Sequence, residues 1–156
     1  MEKLSFTKAK ILVVGDIMVD KYIHGQVSRV SPEAPVPVVQ VSKETSNLGG
    51  AANVAMNLVG LGAEVGLCGL LGKDESGNWV KNHCDESGVR LIQVKGERPT
   101  TSKQRIMGSS QQIVRLDFER TGSLGSFDEA ALWVQIKEII AHYDVLIISD
   151  YGKGVC

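Results

Sequence analysis

Several features are scarce in this chain, and each scarcity narrows what it can do. It has only three cysteines, Cys68, Cys84 and Cys156, far apart and with no C-x-x-C pair. That excludes a disulfide framework and a cysteine zinc site, and implies reduced thiols as in a cytosolic protein. No apolar run is long enough to cross a membrane. The first ten residues, MEKLSFTKAK, lead straight into the short run Ile11–Gly15, too short for the apolar core of a signal peptide. A cytoplasmic location and no membrane partner are therefore expected. Neither sign of charge dominates: 17 Lys and Arg stand against 18 Asp and Glu, a formal net charge of −1. No broad basic face is available for nucleic acid.

Two nucleotide-binding signatures are missing as well. Gly15-Asp16-Ile17 does not supply a G-x-G-x-x-G turn, and no G-x-x-x-x-G-K-[ST] occurs. No Ser/His/Asp or Cys/His set stands out by spacing, and His24, His83 and His142 are isolated.

What is present describes an α/β domain. With 156 residues, 43% hydrophobic and 22% charged, the chain has the size and composition of one globular domain. Short apolar, β-branched runs closed by glycine predict buried strands at Lys10–Gly15 and Val65–Leu71, and a continuous apolar run predicts another at Val145–Ser149, with further strands at Val89–Val94, Thr101–Met107 and Gln112–Phe118. Steps of three and four predict helices at Gly50–Leu61, Ser76–Glu86 (stopped by Gly88) and Phe127–His142. The last has Ala130, Ala131, Val134, Ile136, Ile139 and Ile140 as its apolar face. Residues 22–41 differ: valines alternate with polar residues and with Pro32, Pro35 and Pro37, which suits an edge hairpin or flap. Strands alternating with helices imply a largely parallel sheet. The last strand lacks the covering helix that normally follows, so the fold is expected to be incomplete within these residues.

The segment that carries chemistry is Gly49-Gly50-Ala51-Ala52-Asn53-Val54-Ala55, followed by Gly62 and Gly72. A glycine pair at a helix start lets backbone N–H groups approach a ligand, and the helix dipole favours electron-rich oxygens there. Asn53, in the first turn, could both donate to and accept from a hydroxyl. Spacing alone leaves this reading level with a ligand-free turn.

The segment resembles the first signature of the ribokinase-like (PfkB) sugar kinases at every required position. The similarity is closest to the heptose 7-phosphate kinases. Gly15-Asp16-Ile17-Met18-Val19-Asp20-Lys21-Tyr22, Arg29–Val38, Gln111–Glu119 and Ser149–Gly154 resemble segments of that family in the same order. The resemblance spans about Ile11 to Gly154. It implies a ribokinase-like fold, a mostly parallel sheet flanked by helices with a small β lid from residues 22–41 and 101–107. Residues 1–156 would form the N-terminal portion of one kinase domain.

The resemblance also implies a reaction: ATP, with Mg²⁺, phosphorylates the anomeric hydroxyl of heptose 7-phosphate. Asp20, Gly49, Gly50 and Asn53 would bind sugar hydroxyls. Lys103 and Arg105, on one alternating strand face, are candidates for the 7-phosphate, ahead of Arg115, and Lys153 for the phosphoryl group in transfer. The lid would close over the sugar and pair two copies into a homodimer. The family's catalytic base lies in a G-A-G-D segment that does not occur here, so no base is assigned and most of the ATP pocket is expected elsewhere. A non-catalytic fragment and a kinase of another sugar stay open as alternatives.

Overall fold

Alternation along the first strand decides the architecture. In β1 (Lys10–Gly15), Ile11 and Val13 join one apolar cluster while Leu12 and Val14 join another, and all four are buried. A strand apolar on both faces belongs inside a parallel sheet covered on two sides. In the computed structural model, which describes residues 6–7, 9–109 and 111–156, this is what β1 does. The reading of residues 1–5 as a short lead into β1 lies outside them.

The core sheet has the order β5-β4-β1-β8 and is parallel throughout, with β4 at Glu64–Leu71, β5 at Arg90–Lys95 and β8 at Val145–Ser149. One face carries α1 (Ala51–Gly60) and α2 (Glu75–Ser87), through Ala51, Ala52, Ala55, Val80 and Cys84. The other carries α3 (Ser126–Ile139), through Leu132. Helix α2 starts at Asp74, whose Oδ1 accepts the Gly77 N–H at 2.8 Å, and stops at Gly88 in the left-handed region.

A second sheet, order β3-β2-β6-β7, projects from this core. Its strands β2 (Ile17–Val30) and β3 (Pro37–Gly50) form a long antiparallel hairpin. Strand β6 (Thr101–Gly108) lies parallel to β2, and β7 (Gln111–Phe118) antiparallel to β6. The proline pattern fits: Pro32 and Pro35 fall in the connection and Pro37 opens β3, where no ladder N–H is lost. The hairpin is longer than residues 22–41, because its base is continuous with β1 and with α1, and β7 completes the sheet.

One predicted face differs. Ala130, Val134 and Ile140 were expected inside, but they are exposed, and Leu132 is the apolar residue of α3 that is buried. Helix α3 is apolar on more than one side, so periodicity alone does not choose between them. Only the side against β4 and β5 is covered.

Candidate functional site

The four candidates for binding sugar hydroxyls meet where the β2–β3 hairpin joins α1. The β2–β3 register puts Asp20 opposite Asn47 and Met18 opposite Gly49. Asp20, Asn47 and Asn53 then line one open cleft of about 410 Å³, with Tyr22 and His83 on its walls. Gly49 is required here for space: a Cβ would overlap the Asp20 carboxylate. Gly50 is required for conformation: its φ of 54° lies in the left-handed region and turns the chain from β3 into α1. The first helical N–H, on Ala51, donates to the Asp16 carbonyl at 2.9 Å. Asp20, Gly49, Gly50 and Asn53 are thus brought together.

The cationic candidates lie beside the cleft, on the polar face of the lid sheet. Pairing places Asp20 opposite Lys103, and Tyr22 opposite Arg105. Arg105 Nη1 donates to Asp20 Oδ1 at 2.6 Å, and the guanidinium sits 5.1 Å from the Tyr22 ring centroid. The hydrogen bond to Asp20 pushes the Arg105 value further up, outweighing the opposing effect of burial. Lys103 Nζ lies 3.3 Å from Asp117 Oδ2 and 3.7 Å from Glu119 Oε2. Arg115 makes two bonds to Asp117, at 2.8 and 2.9 Å. The Arg115 hydrogen bond, helped by Lys103, holds the Asp117 carboxyl below the usual carboxylate value. None of Lys103, Arg105 and Arg115 lines the Asp20–Asn53 cleft.

Lys153 comes from the other sheet. It sits in the loop after β8, and its Nζ lies 3.0 Å from Glu119 Oε1 and 2.9 Å from Oε2. Glu119 therefore joins a cation of the lid to a cation of the core loop. That loop is fixed from two directions. Tyr151 and Lys153 N–H donate to Asp16 Oδ2 at 2.8 and 3.0 Å, and Val155 N–H to Oδ1 at 3.2 Å. Arg98 donates to the carbonyls of Arg120, Gly122, Ser123 and Lys153.

Sequence reasoning did not single out Asn47, which lines the cleft, or Asp16 and Glu119, which bond Lys153. Asn47 is visible only through the hairpin register. Asp16 did carry a signal: an acidic residue directly after a buried apolar strand needs partners. Glu119 looks like an ordinary surface charge until β6 and the β8 loop converge on it.

Among the described residues no group of three or more His, Cys, Asp or Glu side chains could hold a metal ion by itself. Burial pushes the Cys68 and Cys84 thiols up to about 11, which makes them poor nucleophiles near neutrality.

With this geometry in place, the comparisons with known proteins are specific. The pfkB family carbohydrate kinase pattern matches residues 8–150. The chain is 46% identical over 148 residues to the bifunctional protein HldE of Nitratiruptor sp., covering 95% of this chain and 32% of that protein. It is 46% identical over 149 residues to the D-beta-D-heptose 7-phosphate kinase of Bordetella bronchiseptica, covering 95% of this chain and 47% of that one. Among solved structures, a carbohydrate kinase from Agrobacterium tumefaciens matches with TM-score 0.65 and 24% identity, over 90% of this chain and 45% of that one. Phosphofructokinase-2 from Escherichia coli matches with TM-score 0.68 and 18% identity, over 95% and 46%. These last two bear on the fold alone, and bear out the ribokinase-like architecture. The chain spans about a third to a half of the length of the curated relatives it matches.

Proposed function

Because the chain belongs to the pfkB family of carbohydrate kinases, we propose that it is the sugar-binding part of a heptose 7-phosphate kinase. In a protein of its relatives' length, ATP with Mg²⁺ would phosphorylate the anomeric hydroxyl of heptose 7-phosphate. The product is heptose 1,7-bisphosphate, on the route to ADP-heptose and lipopolysaccharide.

The observation that carries this reading is the convergence of Asp20, Asn47 and Asn53, from three different elements, on one cleft large enough for a sugar phosphate. A carboxylate accepts hydroxyl protons, and the two amides both donate and accept, the mixture that a polyol needs. Glycines at 49 and 50 keep the backbone close to the bound sugar. Phosphoryl transfer depends on positioning and charge neutralisation, and this chain would hold the acceptor hydroxyl in place. Lys103 and Arg105 would receive the 7-phosphate by exchanging their present carboxylate partners for it, while Lys153 faces the group in transfer.

The lid supports a homodimer. Its polar face carries Asp20, Lys103 and Arg105. The opposite face presents Val114, Leu116 and Phe118, 43%, 42% and 51% exposed. An apolar face of this kind suits a second copy across a twofold axis. No helix among the described residues is long and apolar enough to cross a membrane.

The test is turnover in a kinase of full domain length carrying this sequence. With Asp20→Ala, kcat/KM for heptose 7-phosphate should fall about 100-fold or more, because a charged acceptor for the sugar hydroxyls is lost. A near-normal value would remove Asp20 from the site. Faster turnover of an unphosphorylated hexose than of heptose 7-phosphate would move the enzyme to another sugar.

A further inference from the structure

Asp16 is 2% exposed, yet it carries a carboxylate. Its polar surroundings are unusual: the three bonds that this side chain accepts all come from backbone N–H groups of one short loop, those of Tyr151, Lys153 and Val155. They converge because the residues between them, Gly152 and Gly154, have φ of 68° and 97°. The left-handed glycines turn alternate N–H groups to one side and create a small anion-binding hollow. Here the chain fills its own hollow. The backbone of the same residue reaches two other places. The Asp16 N–H donates to the Ser149 carbonyl at 3.1 Å, at the end of β8, and the Asp16 carbonyl accepts from Ala51 at the start of α1.

We propose that Asp16 is a positioning residue for phosphoryl transfer: it locks the loop that carries Lys153 to the turn that opens the sugar-binding helix. One residue then sets the distance between the sugar cleft and the Lys153 ammonium. The inference rests on the heptose kinase reading. Arg98 on the Lys153 carbonyl and Glu119 on the Lys153 ammonium hold the same residue at its other two polar ends. Without Asp16 the loop's three N–H groups lose their acceptor, and the two side-chain contacts that remain, from Arg98 and Glu119, are flexible enough to let Lys153 shift by the ångström or so that phosphoryl transfer does not tolerate.

Asp16→Asn is the discriminating variant because it keeps the shape. Asparagine has a single acceptor oxygen. If that oxygen replaces Oδ2, the amide NH₂ faces the Val155 N–H; in the other orientation it faces two donors. In a kinase of full domain length, Asp16→Asn should lower kcat about tenfold or more while KM for heptose 7-phosphate stays within about twofold. Lys153→Met should lower kcat too, and the double variant should be no worse than Lys153→Met alone, because Asp16 acts through Lys153. Multiplying losses, an unchanged kcat, or a KM effect of the same size as the kcat effect would each overturn the proposal.

Amide hydrogen exchange over residues 150–156 gives a readout independent of turnover. It should quicken in Asp16→Asn, and unchanged protection would overturn the lock. If the unaltered protein fails to phosphorylate heptose 7-phosphate, the functional reading falls while this exchange result still decides the lock. Should Asp16→Asn not fold, Gly152→Ala moves the loop instead. A Cβ there meets nothing within 4 Å, so only the backbone angle objects. It should reproduce the selective fall in kcat, and an unchanged kcat would overturn the proposal.

Discussion

Strands β1 and β8 are neighbours in one sheet and read almost identically, Ile-Leu-Val-Val against Val-Leu-Ile-Ile, yet they live in different surroundings. Ile11, Leu12, Val13 and Val14 are at most 5% exposed, whereas Val145, Leu146 and Ile148 are 47%, 41% and 64% exposed. The difference lies in the cover and not in the strands. Strand β1 has paired neighbours on both sides and helices on both faces, while β8 is paired only with β1. Trp133 of α3 is 56% exposed beside it, and an apolar hollow of about 630 Å³ opens between α3 and β8. An apolar run therefore records what a strand is suited to face. It does not record what covers it in a given chain.

The largest test of that contrast is a pair of alanine substitutions. Leu12→Ala removes a fully buried side chain and should cost about 2–5 kcal/mol in this chain, enough to unfold a marginal domain. Ile148→Ala removes an exposed one and should cost below about 1 kcal/mol. Denaturant unfolding of both variants measures the gap. Equal costs would mean that β8 is covered in solution. The same Ile148→Ala in a kinase of full domain length should then cost more than in this chain, which would show directly that further structure packs there.

The lid sheet repeats the contrast on a smaller scale. Its polar face is satisfied by ion pairs within the chain, but its apolar face is open at Leu116 and Phe118. If a second copy covers that face, Phe118→Glu should shift a full-length kinase from dimer to monomer in sedimentation. It should leave the Asp20–Asn53 cleft intact, because Phe118 lies on the opposite side of the sheet from Lys103 and Asp117. A dimer that survives the change would place the interface elsewhere.

How much of this was legible follows from the same physics. Every core strand and helix was readable because burial on a sheet face or a helix stripe leaves a period, and glycines such as Gly88 mark the ends. Gly49, Gly50 and Asn53 could be grouped as candidates because one turn and helix start hold them close in sequence, whereas Asp20, far from them along the chain, became a candidate only through the family resemblance. Asp16 and Glu119 were not readable, because their partners stand between 34 and 139 residues away along the chain, at Lys153 and Val155. The inner face of α3 was misjudged for a related reason: the helix is apolar on several sides, and only contact with β4 and β5 selects one.

The smallest test concerns how the covered half is fastened to the lid. Asp74 caps α2 through Oδ1, and its Oδ2 accepts the Thr100 N–H at 2.7 Å, just before lid strand β6 begins. Burial alone would raise this carboxyl, but the N–H groups of Thr100 and Gly77 outweigh it and hold the value below the ordinary one. A carboxyl depressed in the folded state stabilises the fold above its unfolded value, near pH 4, and that contribution disappears as pH falls through the folded value. Asp74→Asn keeps one oxygen for the Gly77 cap but loses the second acceptor, for the Thr100 N–H, and should cost about 1 kcal/mol near neutral pH. The gap between the two proteins should be constant well above pH 4 and narrow as the pH falls below it, because only the aspartate loses its charge. Denaturant midpoints across that range measure it. A gap that stays constant with pH would mean that the cap acts through shape alone, and that charge contributes nothing to holding the covered half against the lid.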